Sequence, residues 1–320
     1  MRGVRWALRA GVVGAALFGC TLPSLDVTGK ACPCPSDYGC DPATNTCVKG
    51  SATSSTSSTS SASSSSTGSG GASACTGTCG TEGCGTCPTT EPIAVDDAAY
   101  DIDPTEVTRA SYQAFLDTKP DLSSQPPYCG WNSSFEPSVD VPDMGCDKPP
   151  DVETFPNRPI TCIDWCDARA YCAWAKRRLC GRIGGGVLQE SQAGDPQMSE
   201  WHHACTHDGT HAYPYGDAFI PDACNTMGAG FGGVPYDVGT LTTCVGGYTG
   251  LYDMSGNIEE WEDACGVGNL PDDPSDDGCP LRGGAFWTGD LQSRCDSLEF
   301  AAPRSAVSND WGFRCCGPSG

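Results

Sequence analysis

The chain has 320 residues, of which 41 are Gly, 25 Pro and 23 Cys; Gly and Pro together make about a fifth of it, against an ordinary share of about 12%. Forty acidic and 18 basic residues give a formal charge of −22, which excludes duplex binding through phosphate neutralisation and argues against docking on anionic lipid through a basic patch. Such a chain is rich in loops, and no apolar run reaches the roughly 18 residues needed to span a bilayer.

Residues 1–19 read as a secretory signal: Arg2, Arg5 and Arg9 precede and flank the apolar run Ala10 to Phe18. Leu17-Phe18-Gly19-Cys20 resembles a bacterial lipobox, which implies acylation of Cys20. Thr21 stands where Asp would retain a lipoprotein at the inner membrane, so an outer-membrane or cell-surface lipoprotein is expected. The alternative is ordinary signal cleavage that leaves Cys20 free.

Residues 20–50 carry Cys32, Cys34, Cys40 and Cys47, an even set with three pairings open. Cys40 to Cys47 reads as a turn closed by a bridge. Residues 51–73 are almost all Ser, Thr, Gly and Ala, a composition that cannot bury a core and is predicted to be a flexible tether. Residues 74–90 hold a second set, Cys75, Cys79, Cys84 and Cys87. Cys84-x-x-Cys87 has the spacing of zinc ligands, but an exported chain sits where disulfides persist.

Residues 91–320 form the main domain, with seven of the eight Trp. Thr108 is predicted to start a helix with Tyr112, Phe115 and Leu116 on one face. Asp164 is predicted to cap a second helix, with Asp167 in its first turn and Trp165, Ala168, Cys172 and Ala175 facing inward. Ser199 caps a short third helix through Cys205. His202, His203, His207 and His211 lie within ten residues. With Asp208 they could hold zinc or iron, but Asp208-Gly209 signals a turn that breaks the shared face, leaving a solvated or bridge-flanked loop as the alternative. The run Asp272 to Asp277 reads as a solvated loop closed by a Cys265–Cys279 bridge.

An ordered series of motifs runs through this domain: Thr105-Glu106-Val107-Thr108; Trp165 to Trp174; Glu200-Trp201; Tyr213-Pro214-Tyr215-Gly216; Gly250 to Trp261; Arg282 to Trp287; and Gly312-Phe313-Arg314. Over about 92–316 the chain resembles the formylglycine-generating enzyme family, also called the sulfatase-modifying factor domain. The resemblance implies an α+β fold, an elaborated C-type-lectin-like domain that is disulfide-rich, low in regular secondary structure and built around a twisted antiparallel sheet. It also implies two structural calcium sites. Asp253 and Glu260, with the carbonyls of Gly256 and Ile258, map onto the first; Asn225, Thr226, Asp237 and Gly239 map onto the second. Mixed carboxylate and carbonyl oxygens suit a hard cation, although Asn and Asp at such positions also serve turns through their own backbone. Two family bridges map onto Cys172–Cys315, where adjacent Cys316 could substitute, and onto Cys205–Cys295.

The family's enzymes oxidise a sulfatase Cys with oxygen and copper held by two thiolates. In this sequence the Ser of that pattern is Ala285, the first Cys is Thr288 and the second is Ser293. Neither hydroxyl replaces a thiolate on copper(I), a soft ion, which argues against copper and leaves no catalytic residue assigned. Periplasmic pigment-maturation members of the family also lack the Cys pair. The expectation is therefore a recognition member, with calcium as its structural cofactor. Its ligand, a peptide, protein or glycan, is expected in a shallow groove near Arg282, Trp287 and Trp311, where both Trp could equally be core. No nucleic acid is expected, and the membrane is met through the lipid anchor alone. The alternative is an oxidoreductase of the same family using unrecognised ligands.

Overall fold

The computed structural model describes residues 74–320, apart from 232, 269, 271, 299, 300, 319 and 320, together with two strands nearer the N-terminus. Those strands, β1 (Tyr38–Asp41) and β2 (Thr46–Lys49), pair antiparallel with Cys40 opposite Cys47. The expected signal, the expected lipidation of Cys20 and the expected tether lie outside the described residues, as do the side chains of Cys40 and Cys47, for which a bridge is expected. Among those described, no helix is long and apolar enough to cross a membrane.

The chain from Gly70 onward is one compact unit. Strands β3 (Ile93–Val95) and β4 (Tyr100–Ile102) lead to helix α1 (Arg109–Leu116). Thr108 caps α1 by accepting from the Ser111 amide at 3.1 Å, which satisfies one of the orphan donors of the first turn. Helix α2 (Trp165–Trp174) opens with a capping box in which the Asp164 and Asp167 side chains accept from each other's amides. Strand β5 (Arg178–Leu179) follows. Helix α3 (Glu200–Thr206) is capped by Ser199 and ends where His207, Asp208 and Gly209 all take positive φ.

The rings of α1 and α2 interlock. Tyr112 stacks on Tyr171 with centroids 5.7 Å apart, Phe115 meets Trp174 at 5.6 Å, and Phe313 meets Tyr171 at 5.4 Å. Segment 74–90, the second Cys-rich patch, joins this core: Cys75, Cys79 and Cys84 are buried in it, and the Trp174 indole donates to the Cys84 carbonyl. Its four cysteines form two bridges, Cys75–Cys84 and Cys79–Cys87.

Strands β6 (Glu259–Trp261), β7 (Gly278–Arg282), β8 (Ala301–Pro303), β9 (Trp311–Gly312) and β10 (Cys315–Pro318) complete two sheets. One has the order β3-β4-β10-β5 and is antiparallel; the other has the order β8-β7-β6-β9. The β6–β9 pair is parallel, which departs from the all-antiparallel expectation. Gly312 is required there, because a Cβ would lie 2.4 Å from the Ile160 carbonyl.

The pleat of β10 decides the pairing of its adjacent cysteines. Successive strand residues point to opposite faces, so Cys315 reaches Cys172 on α2 while Cys316 reaches Cys180 beside β5. Cys205–Cys295 and Cys265–Cys279 are also bridged. The loop that the last pair closes is partly structured: Asp276 accepts from the Leu270 amide and Asp277 pairs with Arg304.

Candidate functional site

The segment that follows β7 turns sharply through Gly283 and Gly284, both at positive φ, and delivers Ala285, Thr288 and Ser293 to the interior. All three are buried. The Thr288 hydroxyl lies 3.2 Å from the Ser293 hydroxyl. It also meets the Ala285 carbonyl and amide, each at 2.9 Å. The Ser293 carbonyl accepts from Ser255 at 2.6 Å. The two hydroxyls are thus satisfied within the loop itself. Cys295, two residues on, is bound to Cys205. Within residues 74–318 all eighteen cysteines lie in nine bridges, so no thiol of this unit is free to bind a soft metal.

Strand β6 presents consecutive carboxylates to opposite faces. Glu260 points inward. Both of its oxygens receive the Arg314 guanidinium at 2.7 Å, and the Trp201 indole donates to one of them. Arg314 is wholly buried, and Glu106 and Asp253 lie within its electrostatic reach. Burial, with the Asp253 charge next, holds the Glu106 carboxyl well above the usual carboxylate range. Burial likewise pushes Asp253 up to about 6. One Glu106 oxygen, Oε2, is buried without a hydrogen-bond partner, while the other accepts from Asn257.

The two residue sets expected to bind calcium meet in this region. The Gly239 amide donates to Asp253 at 2.6 Å, joining one set to the other. The Asn225 amide donates to Asn257, and its carbonyl receives the Asn257 N–H. Gly256 passes so near Asn225 that a Cβ would lie 2.4 Å from its carbonyl. The Thr226 hydroxyl is turned to the Pro221 carbonyl, and the Asp237 carbonyl accepts from Thr240. Among the described residues no three His, Cys, Asp or Glu side chains are grouped to hold a metal, so either set depends on backbone carbonyls. The donor chemistry fits a hard cation at the first set: oxygens only, surplus buried carboxylate charge, and an orphan oxygen on Glu106. Glu260 would share its oxygens with Arg314.

The other face of β6 borders a groove of about 570 Å³ lined by Asp143, Met144, Glu259, Trp287, Asp310 and Trp311, among others. Trp287 is 53% exposed, whereas Trp311 is 4% exposed and packs edge-on against Trp261. The Trp287 indole donates to Asp310, and the Trp311 side chain donates to Glu259. Burial, with the Asp310 charge next, pushes Glu259 up to about 7. Arg282, expected beside the groove, does not line it. It is buried in an ion pair with Glu262 at 2.8 Å, because the β7 pleat turns it inward. Glu259 and Asp310 were missed in the sequence: nothing in an isolated Glu-Glu or Asn-Asp pair marks which carboxylate faces a cavity.

The histidines do not converge on one point. The His203 ring meets the Pro196 carbonyl on one side and Tyr248 on the other, and the Tyr248 hydroxyl donates to Asp97. His207 is the left-handed cap of α3, and its ring leans on Tyr248. His202 is buried, and burial, with the Arg282 charge next, holds it down at about 4.

Comparison with known proteins places these features in a family. The model of the sulfatase-modifying factor enzyme 1-like domain matches residues 53–317. A formylglycine-generating enzyme of Streptomyces coelicolor is 29% identical over 191 residues, covering 52% of this chain and 54% of that protein. The inactive C-alpha-formylglycine-generating enzyme 2 of Bos taurus is 27% identical over 176 residues, covering 51% of each. The chain thus spans about half the length of these curated relatives. Among solved structures, CarF aligns with a TM-score of 0.44 at 22% identity, over 68% of this chain and 86% of that one. PvdO from Pseudomonas aeruginosa aligns with a TM-score of 0.44 at 20% identity, over 68% and 80%. The family match takes in α1 to α3, β3 to β9 and all nine bridges described above, and the chain belongs to the sulfatase-modifying factor enzyme 1-like family.

Proposed function

We propose that this chain is a recognition member of its family, displayed on the cell surface or outer membrane through a lipid on Cys20, and that it does not oxidise cysteine through copper. One observation carries the reading: the Thr288 and Ser293 hydroxyls, 3.2 Å apart, stand where the resemblance puts the family's copper thiolates. Hydroxyls are hard, weakly acidic donors and do not hold copper(I). The mammalian relatives named as inactive agree with such a role, while the bacterial relatives are named as enzymes. Fold alone cannot decide between them.

In this reading calcium is structural. The Asp253 and Glu260 carboxylates and the Gly256 and Ile258 carbonyls hold it, and its charge offsets the surplus of buried carboxylate. The set at Asn225, Thr226, Asp237 and Gly239 is a second proposed position. The ligand is received in the groove between Met144 and Trp287. The test supplies the oxidatively folded full chain with copper(I), oxygen and a Cys-x-Pro-x-Arg peptide, and follows peptide mass. An unchanged peptide is the expected result. Conversion of thiol to aldehyde sinks the reading and means that the family's oxidase chemistry persists on other ligands.

A further inference from the structure

The groove beside β6 has an unusual charge arrangement. Asp143, Glu259 and Asp310 line it, and no Lys or Arg does. Glu259 and Asp310 are 7% and 3% exposed. Taking carboxylates this far out of water is costly unless a cation or strong donors compensate. Elsewhere in the domain the compensation comes from arginine: Glu200 pairs with Arg178, Glu260 with Arg314 and Glu262 with Arg282. In the groove the compensating donors are neutral. Asp310 accepts from the Ser308 hydroxyl and the Trp287 indole, and Glu259 accepts from Trp311. Two buried carboxylates therefore adjoin an open cavity with no protein cation opposite them.

The apolar part of the groove completes the pattern. Trp287 is held by its N–H to Asp310 while half of its side chain stays exposed. Met144 is 37% exposed on the wall. An anchored indole beside carboxylates suits a cation, which gains from the ring face and from the opposite charge together. A methionine wall suits the aliphatic stem that carries such a cation. The volume of about 570 Å³ exceeds a single side chain, leaving room for the flanking residues of a peptide.

Resting on the recognition reading above, we infer that the groove binds a basic side chain, ammonium or guanidinium, presented by a peptide or protein partner. Glu259 and Asp310 receive the charge, and Trp287 and Met144 receive the stem.

The test titrates the full chain with acetylated, amidated pentapeptides Gly-Ala-X-Ala-Gly, followed by calorimetry and tryptophan fluorescence. X is Lys, Arg, citrulline, norleucine or Glu. The Lys or Arg peptide is expected to bind at least tenfold more tightly than the citrulline and norleucine peptides, and more weakly as salt rises. Glu259→Gln and Asp310→Asn are each expected to erase most of that preference, and Trp287→Ala to weaken binding of every peptide. Asp310→Asn keeps an acceptor for the Trp287 indole, so it serves where Glu259→Gln disturbs β6. Equal binding of the citrulline or norleucine peptide overturns the cation inference and leaves the groove as a binding site. Binding that ignores both carboxylate variants and Trp287→Ala overturns the location. No binding of any peptide at millimolar concentration overturns the inference outright. Aldehyde formation in the turnover assay overturns the recognition reading instead, a result these peptides cannot produce because they contain no thiol.

Discussion

The hydroxyls of Thr288 and Ser293 face each other at 3.2 Å inside the protein, and the loop that carries them satisfies both without outside help. Gly284 makes this closeness attainable: its φ is +70°, and a Cβ there would lie 2.4 Å from the Thr288 hydroxyl oxygen. The loop thus brings two hydroxyls, hard donors, within hydrogen-bond distance of each other.

Restoring sulfur at both positions is expected to restore copper affinity. The Thr288→Cys/Ser293→Cys double variant, reduced at that pair, should retain one equivalent of copper(I) against a competing chelator. The parent chain should release all of it, because the eighteen cysteines of residues 74–318 are bridged. Copper retention by the parent would show that other groups bind the ion.

Calcium is expected to stabilise the fold. At free calcium about a hundredfold above the dissociation constant, the gain is about 2.7 kcal/mol, read as a rise in Tm that EDTA reverses. Asp253→Ala should abolish the rise. A calcium response that survives this variant would move the site to the second residue set or away from both.

Part of this architecture was legible in the sequence. Thr108, Asp164 and Ser199 each announced a helix, because a capping side chain acts on amides two or three residues away and needs no distant partner. The motif order carried the family and with it the Cys172–Cys315 pair. The groove was less legible. Arg282 was expected beside it but is turned inward by the pleat of β7, and Glu259 was overlooked beside Glu260. Both outcomes depend on which face of a three- or five-residue strand meets the core, and such short strands carry too little alternation to decide it. Cys180–Cys316 was equally hidden, since its partners are 136 residues apart.

Acid should weaken the domain through His202. Burial, with the Arg282 charge next, holds its pKa near 4, below the ordinary value of about 6.5. Between those two values the unfolded chain binds a proton that the folded chain refuses. Stability is therefore retained above about pH 6.5 and lost as pH falls toward 4. His202→Gln should reduce the slope of unfolding free energy against pH in this window by an amount on the order of 2–3 kcal/mol across it, whatever it does to stability at neutral pH. An unchanged slope would show that His202 is protonated in the fold or titrates normally.

The two bridges leaving β10 should contribute separately. Cys172–Cys315 closes 143 residues onto the aromatic core, and Cys180–Cys316 closes 136 onto the second core, where Trp201 and Met254 pack. Loops of this length lose about 4–5 kcal/mol of stabilisation when opened, in the chain-entropy account. With Cys172–Cys315 still in place, however, Cys180–Cys316 closes only about nine further residues, so Cys180→Ala/Cys316→Ala should lower unfolding free energy by about 2–3 kcal/mol. The variant should keep the Cys172–Cys315 bridge intact by peptide mapping, because Cys315 faces away from position 180. Removing only the α2 cysteine, in Cys172→Ala, tests the same point more sharply: the pleat forbids Cys315 from replacing Cys316 as the partner of Cys180 without a slip of β10 by one residue. Such a slip would turn Arg314 out of its contact with Glu260, leaving a buried carboxylate unpaired. Mapping should therefore find Cys315 as a free thiol and the Cys180–Cys316 bridge still in place. A shuffled Cys180–Cys315 bridge in that variant would mean that strand register, and not the cysteine pairing, yields first.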